Sequence, residues 1–309
     1  MSAPTPRLGK VTGKTISWYE KTGQYSNRFC LYCGVPVGGE DDVPSDKEHL
    51  IGRSFVPSGA MGGRDAFNFL FRACMPCNNR KAGAERHLSS ITLLNGPGRQ
   101  LDPQAAAAAA RKALNDFHPN KPGVTMGEAH EAFSIAGELS GVSLGFGLSA
   151  PVQPHGSLVR ELALRHVQGL FSLLTTLDYR EAATLSLLPA AQIQLLGAYP
   201  RSDWGNPQLL EIARRAEDWP CHAQIVSAGG YFKAAMRRHD TQGWFWALEW
   251  NKYLRVVGAI AKAEMALFDA LPEPLWHPLP SGQGRYRQEI PLADEDDMLF
   301  SGAVADSFL

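Results

Sequence analysis

A chain of 309 residues with 44% apolar and 20% charged positions is long enough to bury two domain cores and has the composition of a soluble globular protein. No apolar run approaches the ~20 residues that a helix needs to cross a bilayer, which excludes membrane-inserted classes. The polar, proline-bearing residues 1–6 lack a secretory stretch, so a reducing cytoplasm is expected, where thiols hold metal in preference to forming disulfides.

The net charge of -1 conceals an asymmetry. Of the 30 Lys and Arg, 13 fall in residues 1–100 and 17 in residues 101–309; of the 31 Asp and Glu, the shares are 8 and 23. The first part is basic and suits a polyanionic partner, although ordinary surface charge accounts for so small an excess equally well.

In chain order, residues 16–19 read as a short strand. Residues 9–15 imitate a phosphate loop, but they place three residues between the glycines where that loop needs four, so a nucleotide triphosphatase is rejected. Cys30 and Cys33 form a first Cys-x-x-Cys pair, followed by a turn-rich segment and the acidic Glu40, Asp41 and Asp42. Residues 47–51 read as a strand, 52–65 as a loop and 67–71 as an aromatic strand. Cys74 and Cys77 form the second pair. A helix is predicted from Asn78 to about Leu94, stopped by the Asn-Gly-Pro-Gly of residues 95–98.

Beyond residue 100, helices are predicted at 102–117, around six alanines, at 157–177, with a leucine stripe, and at 207–218, capped by Asn206 with Pro207 at its first position. Strands follow at 223–226, 231–234, 244–250 and 254–257, the last of which reads alternatively as helix, with turns at Gly229, Gly230 and 241–243. Trp244, Trp246 and Trp250 share one strand face, with core packing as the default and base stacking as the minority reading. The tail after Pro280 reads as loosely ordered. Cys221, outside both pairs, is expected to be a small buried hydrophobe.

Two Cys-x-x-Cys pairs supply the four thiolates of a tetrahedral, closed Zn²⁺ site made by Cys30, Cys33, Cys74 and Cys77. Such a site has no open coordination position, so zinc is expected to hold the fold while chemistry falls to Glu48, His49 and Asn78. Histidine suits the base that activates water. The carboxylate of Glu48 and the amide oxygen of Asn78 are hard ligands for a catalytic Mg²⁺ or Mn²⁺. Asn78 is read equally as a helix N-cap. Asn68 is expected to hold the loop by hydrogen bonds, Arg53, Arg80 and Lys81 to grip phosphates or simply to be solvated, and His87 to lie on the surface.

These residues resemble the zinc-containing, four-cysteine branch of the HNH endonucleases over roughly residues 28–90. Glu48 and His49, Asn68 and Asn78 fall at that family's catalytic places, and Cys74, Met75, Pro76, Cys77, Asn78, Asn79, Arg80 and Lys81 match its Cys-x-x-Cys-Asn-x-x-Lys pattern. Gly52 departs from it where a proline is common, and the loop to Asn68 is longer than usual. The resemblance implies an α+β fold. From the elements above, residues 101–309 are expected to form a mixed helical and antiparallel β extension, while the resemblance places a ββ-α-metal nuclease core in residues 1–100. It also implies a metal-dependent endonuclease acting on double-stranded DNA. The alternatives are a zinc-stabilised nucleic-acid binding module and an RNA-cutting toxin or defence effector. The acidic extension is assigned to target choice, to a protein partner or to a homodimer contact.

Overall fold

The computed structural model describes residues 27–61, 67–94, 103–118, 121–139, 142–151, 153–175, 187–239, 243–261, 268–273, 276–278 and 285–300. The strand expected at 16–19, the glycine-lysine segment at 9–15 and the stop at 95–98 lie outside these residues.

Strand β1 (Ser45–His49) pairs antiparallel with β2 (Leu70–Cys74), with Glu48 opposite Phe71 and His49 opposite Leu70. Helix α1 (Met75–Leu94) follows β2 without a connecting residue. The second strand therefore sits three residues later than predicted, and the helix starts at Met75, not Asn78. The amide of Leu50 continues the ladder to the Phe69 carbonyl at 2.8 Å, and it is the aromatic run itself that leads into this pairing.

Helix α2 (Pro103–Asn115) packs on α1 and matches the alanine-rich prediction. Residues 124–156, whose pattern predicts no element, carry a long antiparallel ribbon of β3 (His130–Leu139) and β4 (Val142–Pro151). Helix α3 (Gly156–Thr175) keeps its leucine stripe buried. The larger sheet is antiparallel in the order β5-β9-β8-β7-β6, from β5 (Ile193–Pro200), β6 (Cys221–Ser227), β7 (Phe232–His239), β8 (Gly243–Trp250) and β9 (Leu254–Ile260). Strand β5 was not foreseen. Helix α4 (Pro207–Arg215) has the expected cap, the Asn206 side chain accepting from the Gln208 amide at 2.9 Å. A short pair, β10 (Trp276–Pro278) with β11 (Arg285–Arg287), completes the mixed α+β architecture.

Alternation along β8 explains the layering. Trp244, Trp246, Leu248 and Trp250 face a core shared with α3 and with the cysteine-bearing unit, while Phe245 and Ala247 face α4 and the C-terminal segment. A sheet buried on both faces needs apolar residues on both, which is why β8 and β9 read as nearly continuous apolar runs. Gly258 on β9 is required by this packing, because a Cβ there would lie 2.1 Å from the Trp246 ring. Residues 285–300 of the tail pack on the sheet, where a loose segment was expected: Asp297 pairs with Arg255 at 2.6 Å, and Leu299 and Phe300 are buried.

The division expected near residue 100 is not a division of cores. Leu50, Phe55, Phe69 and Leu88 belong to the same apolar cluster as Leu170, Phe232 and Trp250. Gln168 donates to the carbonyl of Tyr32, Ser227 to that of Phe67 and Asn251 to that of Phe55.

Candidate functional site

The first pair of cysteines lies on a tight turn. The Cys30 amide donates to the Val35 carbonyl and the Gly34 amide to the Cys30 carbonyl, each at 2.8 Å, and Gly34 takes φ +77° to close it. Cys74 ends β2 and Cys77 stands in the first turn of α1, so strand and helix together present the second pair. All four Sγ atoms lie within 4.8 Å of one another, with Cys33 and Cys74 3.6 Å apart. Sulfurs bound to one tetrahedral Zn²⁺ at ~2.3 Å sit roughly 3.8 Å apart, so the donor set fits zinc. Crowding divides the acidities of the thiols. A hydrogen bond with Cys77 lowers Cys30 below the usual thiol range, and that bond, then burial, pushes Cys77 up to about 12. A divalent cation held by Cys30, Cys33, Cys74 and Cys77 would take all four as thiolates and tie the N-terminal turn to the strand–helix junction.

Beside this cluster, Glu48, Lys81 and Glu85 form a buried charged network. Lys81 Nζ lies 2.7 Å from Glu48 Oε1, 2.7 Å from Glu85 Oε1 and 2.9 Å from the His49 carbonyl oxygen. Tyr32, from inside the first cysteine pair, donates to Glu48 Oε1 at 3.3 Å. Lys81 is 1% exposed, so the expectation that it grips phosphate is corrected: its ammonium is committed to two carboxylates and a carbonyl. Glu48, 3% exposed, is likewise held by Lys81 and Tyr32, which does not fit the role of a catalytic Mg²⁺ or Mn²⁺ ligand.

Gly52 belongs to the same network. Its amide donates to Glu85 Oε1 at 2.8 Å, and a Cβ would lie 2.3 Å from the other carboxylate oxygen. A proline could neither donate nor fit. Asn68 binds the same loop at both edges, accepting from the Ile51 amide at 2.9 Å and donating to its carbonyl at 2.7 Å, as expected of a loop-holding residue.

His49 ends β1, and its Nε2 is buried without a hydrogen-bond partner among the described residues. Burial, then the positive charges of Arg53, Lys47 and Lys81, lower its pKa to about 4, so the imidazole is neutral at pH 7 and able to accept a proton. Asn78 is the fourth residue of α1, three before Lys81, which removes the N-cap reading. It is half-buried, and its amide has no hydrogen-bond partner among the described residues. Arg53 is exposed near His49. Arg80 is exposed too, but its Nη2 lies 3.4 Å from Cys77 Sγ, which turns it toward the cysteines. His87 is buried, not superficial, with its ring edge-to-face on His118 at 6.1 Å.

Sequence reasoning missed Tyr32 and Glu85. Glu85 had a signal, its i+4 spacing from Lys81 on a helix. Tyr32 had none, because its partner is sixteen residues away across a fold. Comparison with protein-family models, with curated proteins and with solved structures returned no match in any of the three. What stands is a four-cysteine cluster at a strand–helix junction in a mixed α+β fold, with no helix among the described residues long and apolar enough to cross a membrane.

Proposed function

We propose that this chain is an endonuclease of the HNH kind that hydrolyses phosphodiester bonds of nucleic acid, with duplex DNA as its substrate. The observation that carries this reading is the state of His49. It stands at the end of the first strand of a strand–strand–helix unit, its carbonyl is pinned by Lys81 from the helix, and its ring is neutral with an unpartnered nitrogen. In the proposed reaction Nε2 takes a proton from water as the water oxygen bonds to phosphorus. The bond from phosphorus to the 3′ oxygen breaks and that oxygen takes up a proton from solvent, leaving a 5′-phosphate and a 3′-hydroxyl, while the His49 imidazolium returns its proton to water. Asn68 keeps the following loop in place, and Arg53 supplies positive charge near the phosphate.

The second cation stands differently. With Glu48 committed to Lys81, only Asn78 remains of the two expected oxygen ligands, which leaves Mg²⁺ or Mn²⁺ a single protein ligand there. The burial of Glu48 favours a second reading, a zinc-stabilised nucleic-acid binding module without catalysis. Incubating the protein with supercoiled plasmid and with RNA, with Mg²⁺, Mn²⁺ or no added divalent cation, separates the two. Cleavage that disappears in His49→Ala supports the endonuclease. Binding without cleavage under every condition leaves the module. For residues 101–309 the proposed role is target choice or contact with a second copy, which light scattering of the full chain tests.

A further inference from the structure

Between the loop that follows β1 and helix α2 lies an open cleft of about 470 Å³, a volume ordinary for a binding site. Its polar lining comes from Arg53, Ser54 and Ser58 on the loop side and from Arg111, Lys112 and Asn115 on the helix side, with Asp116 at the helix end. Three cations therefore face one carboxylate. That carboxylate is already engaged, by Ser90 Oγ at 2.5 Å and by Lys112 Nζ at 3.8 Å. Lys112 is in turn anchored on Ser89 Oγ at 2.8 Å, which fixes its ammonium against α1. Arg53 and Arg111 are exposed, and neither has a carboxylate partner among the described residues. Two guanidinium groups with no carboxylate partner among the described residues stand on opposite walls, with serine hydroxyls between them, so charged donors outnumber the single, already engaged carboxylate. Val56 and Ala108 add apolar wall beside the polar groups.

The cleft also has a direction. Arg53 is four residues from His49 and close enough for its charge to act on the histidine ring. A strand with one phosphate at His49 therefore extends naturally toward the cleft. We infer that this cleft holds a backbone phosphate of the bound nucleic-acid strand, flanking the phosphate at His49, with Arg53 on one wall and Arg111 of α2 on the other. The inference rests on the proposed function for its substrate. It adds that part of the grip comes from α2, beyond residue 100, in the larger part of the chain, which is acidic overall. The alanine run of α2 then has a use: it carries Arg111 and Lys112 against α1 without bulky side chains between.

The test uses the full chain and a short fluorescein-labelled DNA duplex, with binding followed by anisotropy over a series of salt concentrations and the duplex checked by gel to have remained uncut. An RNA duplex of the same sequence forms a second arm. Arg53→Ala and Arg111→Ala should each weaken binding severalfold and reduce the salt slope by about one, as expected for the loss of one phosphate contact. Arg201→Ala, which removes a half-buried cation stacked on Trp204 and paired with Asp294, away from the cleft, serves as the control and should change neither. Zinc content and thermal midpoint should match the unaltered protein in all three variants. If Arg111→Ala binds with the affinity and salt slope of Arg201→Ala, the cleft does not hold the strand. Binding reports on the cleft and plasmid cleavage reports on the nuclease reading, so either can fail without the other.

Discussion

Lys81 Nζ sits 2.7 Å from Glu48 Oε1 where neither side chain reaches water, joining the first turns of α1 to the end of β1. Glu85 approaches the same ammonium from the next turn, so one cation is set between two carboxylates and the group carries a formal charge of one minus. Burial raises the pKa of Glu48, and the charge of Glu85 acts in the same direction against the pull of Lys81. Burial acts to lower Lys81, but the two carboxylates outweigh it and hold the ammonium charged. The network thus fixes where the His49 backbone stands.

Lys81→Ala should therefore be severely destabilising, because it leaves two carboxylates buried without their cation. A cost of about 3–5 kcal/mol is expected for breaking a buried pair from one side, read from urea denaturation. Glu48→Gln should cost less, since Lys81 keeps Glu85. Any cleavage that Glu48→Gln retains should show the same dependence on Mg²⁺ or Mn²⁺ as the unaltered protein. A shift of the cation midpoint would return Glu48 to the role of metal ligand.

Elemental analysis should find one zinc per chain. Cys33→Ser or Cys74→Ser should lose it and release the N-terminal turn from the strand–helix junction, since thiolate binding and folding are coupled at such sites. Limited proteolysis near residues 30–40 reports that release. Folded protein with no zinc, equally resistant to protease, would contradict the site.

The cysteine cluster was legible because its spacing is local chemistry: two short gaps need no knowledge of what lies between them. The amphipathic α3 and the cap at Asn206 were legible for the same reason. The roles of Glu48 and Lys81 were not. Both lie in a recognisable pattern, but whether a carboxylate meets a cation from solvent or an ammonium from the protein depends on burial, and burial depends on Tyr32, Gly52 and Glu85 arriving from elsewhere. The ribbon of β3 and β4 escaped notice because its glycines, Gly137, Gly145 and Gly147, read as breakers rather than as strand residues.

Acid should destabilise the protein over a definite window. His49 and His87 each fall to about 4 from an ordinary value near 6.5, chiefly through burial, helped at His49 by Arg53, Lys47 and Lys81 and at His87 by His118 and His155. The unfolded chain then binds more protons than the folded one between those values. The stability from these depressed groups is full above pH 6.5 and is lost as pH falls toward 4. The thermal midpoint should decline across that window, and His87→Phe should flatten the decline. Cleavage, where His49 is the base, should lose its acid limb near pH 4 and not near 6.5.

Removing residues 101–309 should prevent the remainder from folding, even with zinc present. Leu50, Phe55, Phe69 and Leu88 are packed in one cluster with Leu170, Phe232 and Trp250, and truncation would leave them facing water. Re-exposing each large side chain costs about 1.5–3 kcal/mol, so the loss over these four is comparable to the whole ~5–15 kcal/mol by which a typical domain is stable. Polar ties would go as well, since the carbonyls of Tyr32, Phe55 and Phe67 would lose Gln168, Asn251 and Ser227. Circular dichroism and proteolysis of a fragment of residues 1–100, prepared with zinc, measure this directly. The expected result is a fragment without cooperative unfolding and rapidly digested. A fragment that melts cooperatively would mean that the cysteine site and the β1–β2–α1 unit carry their own core.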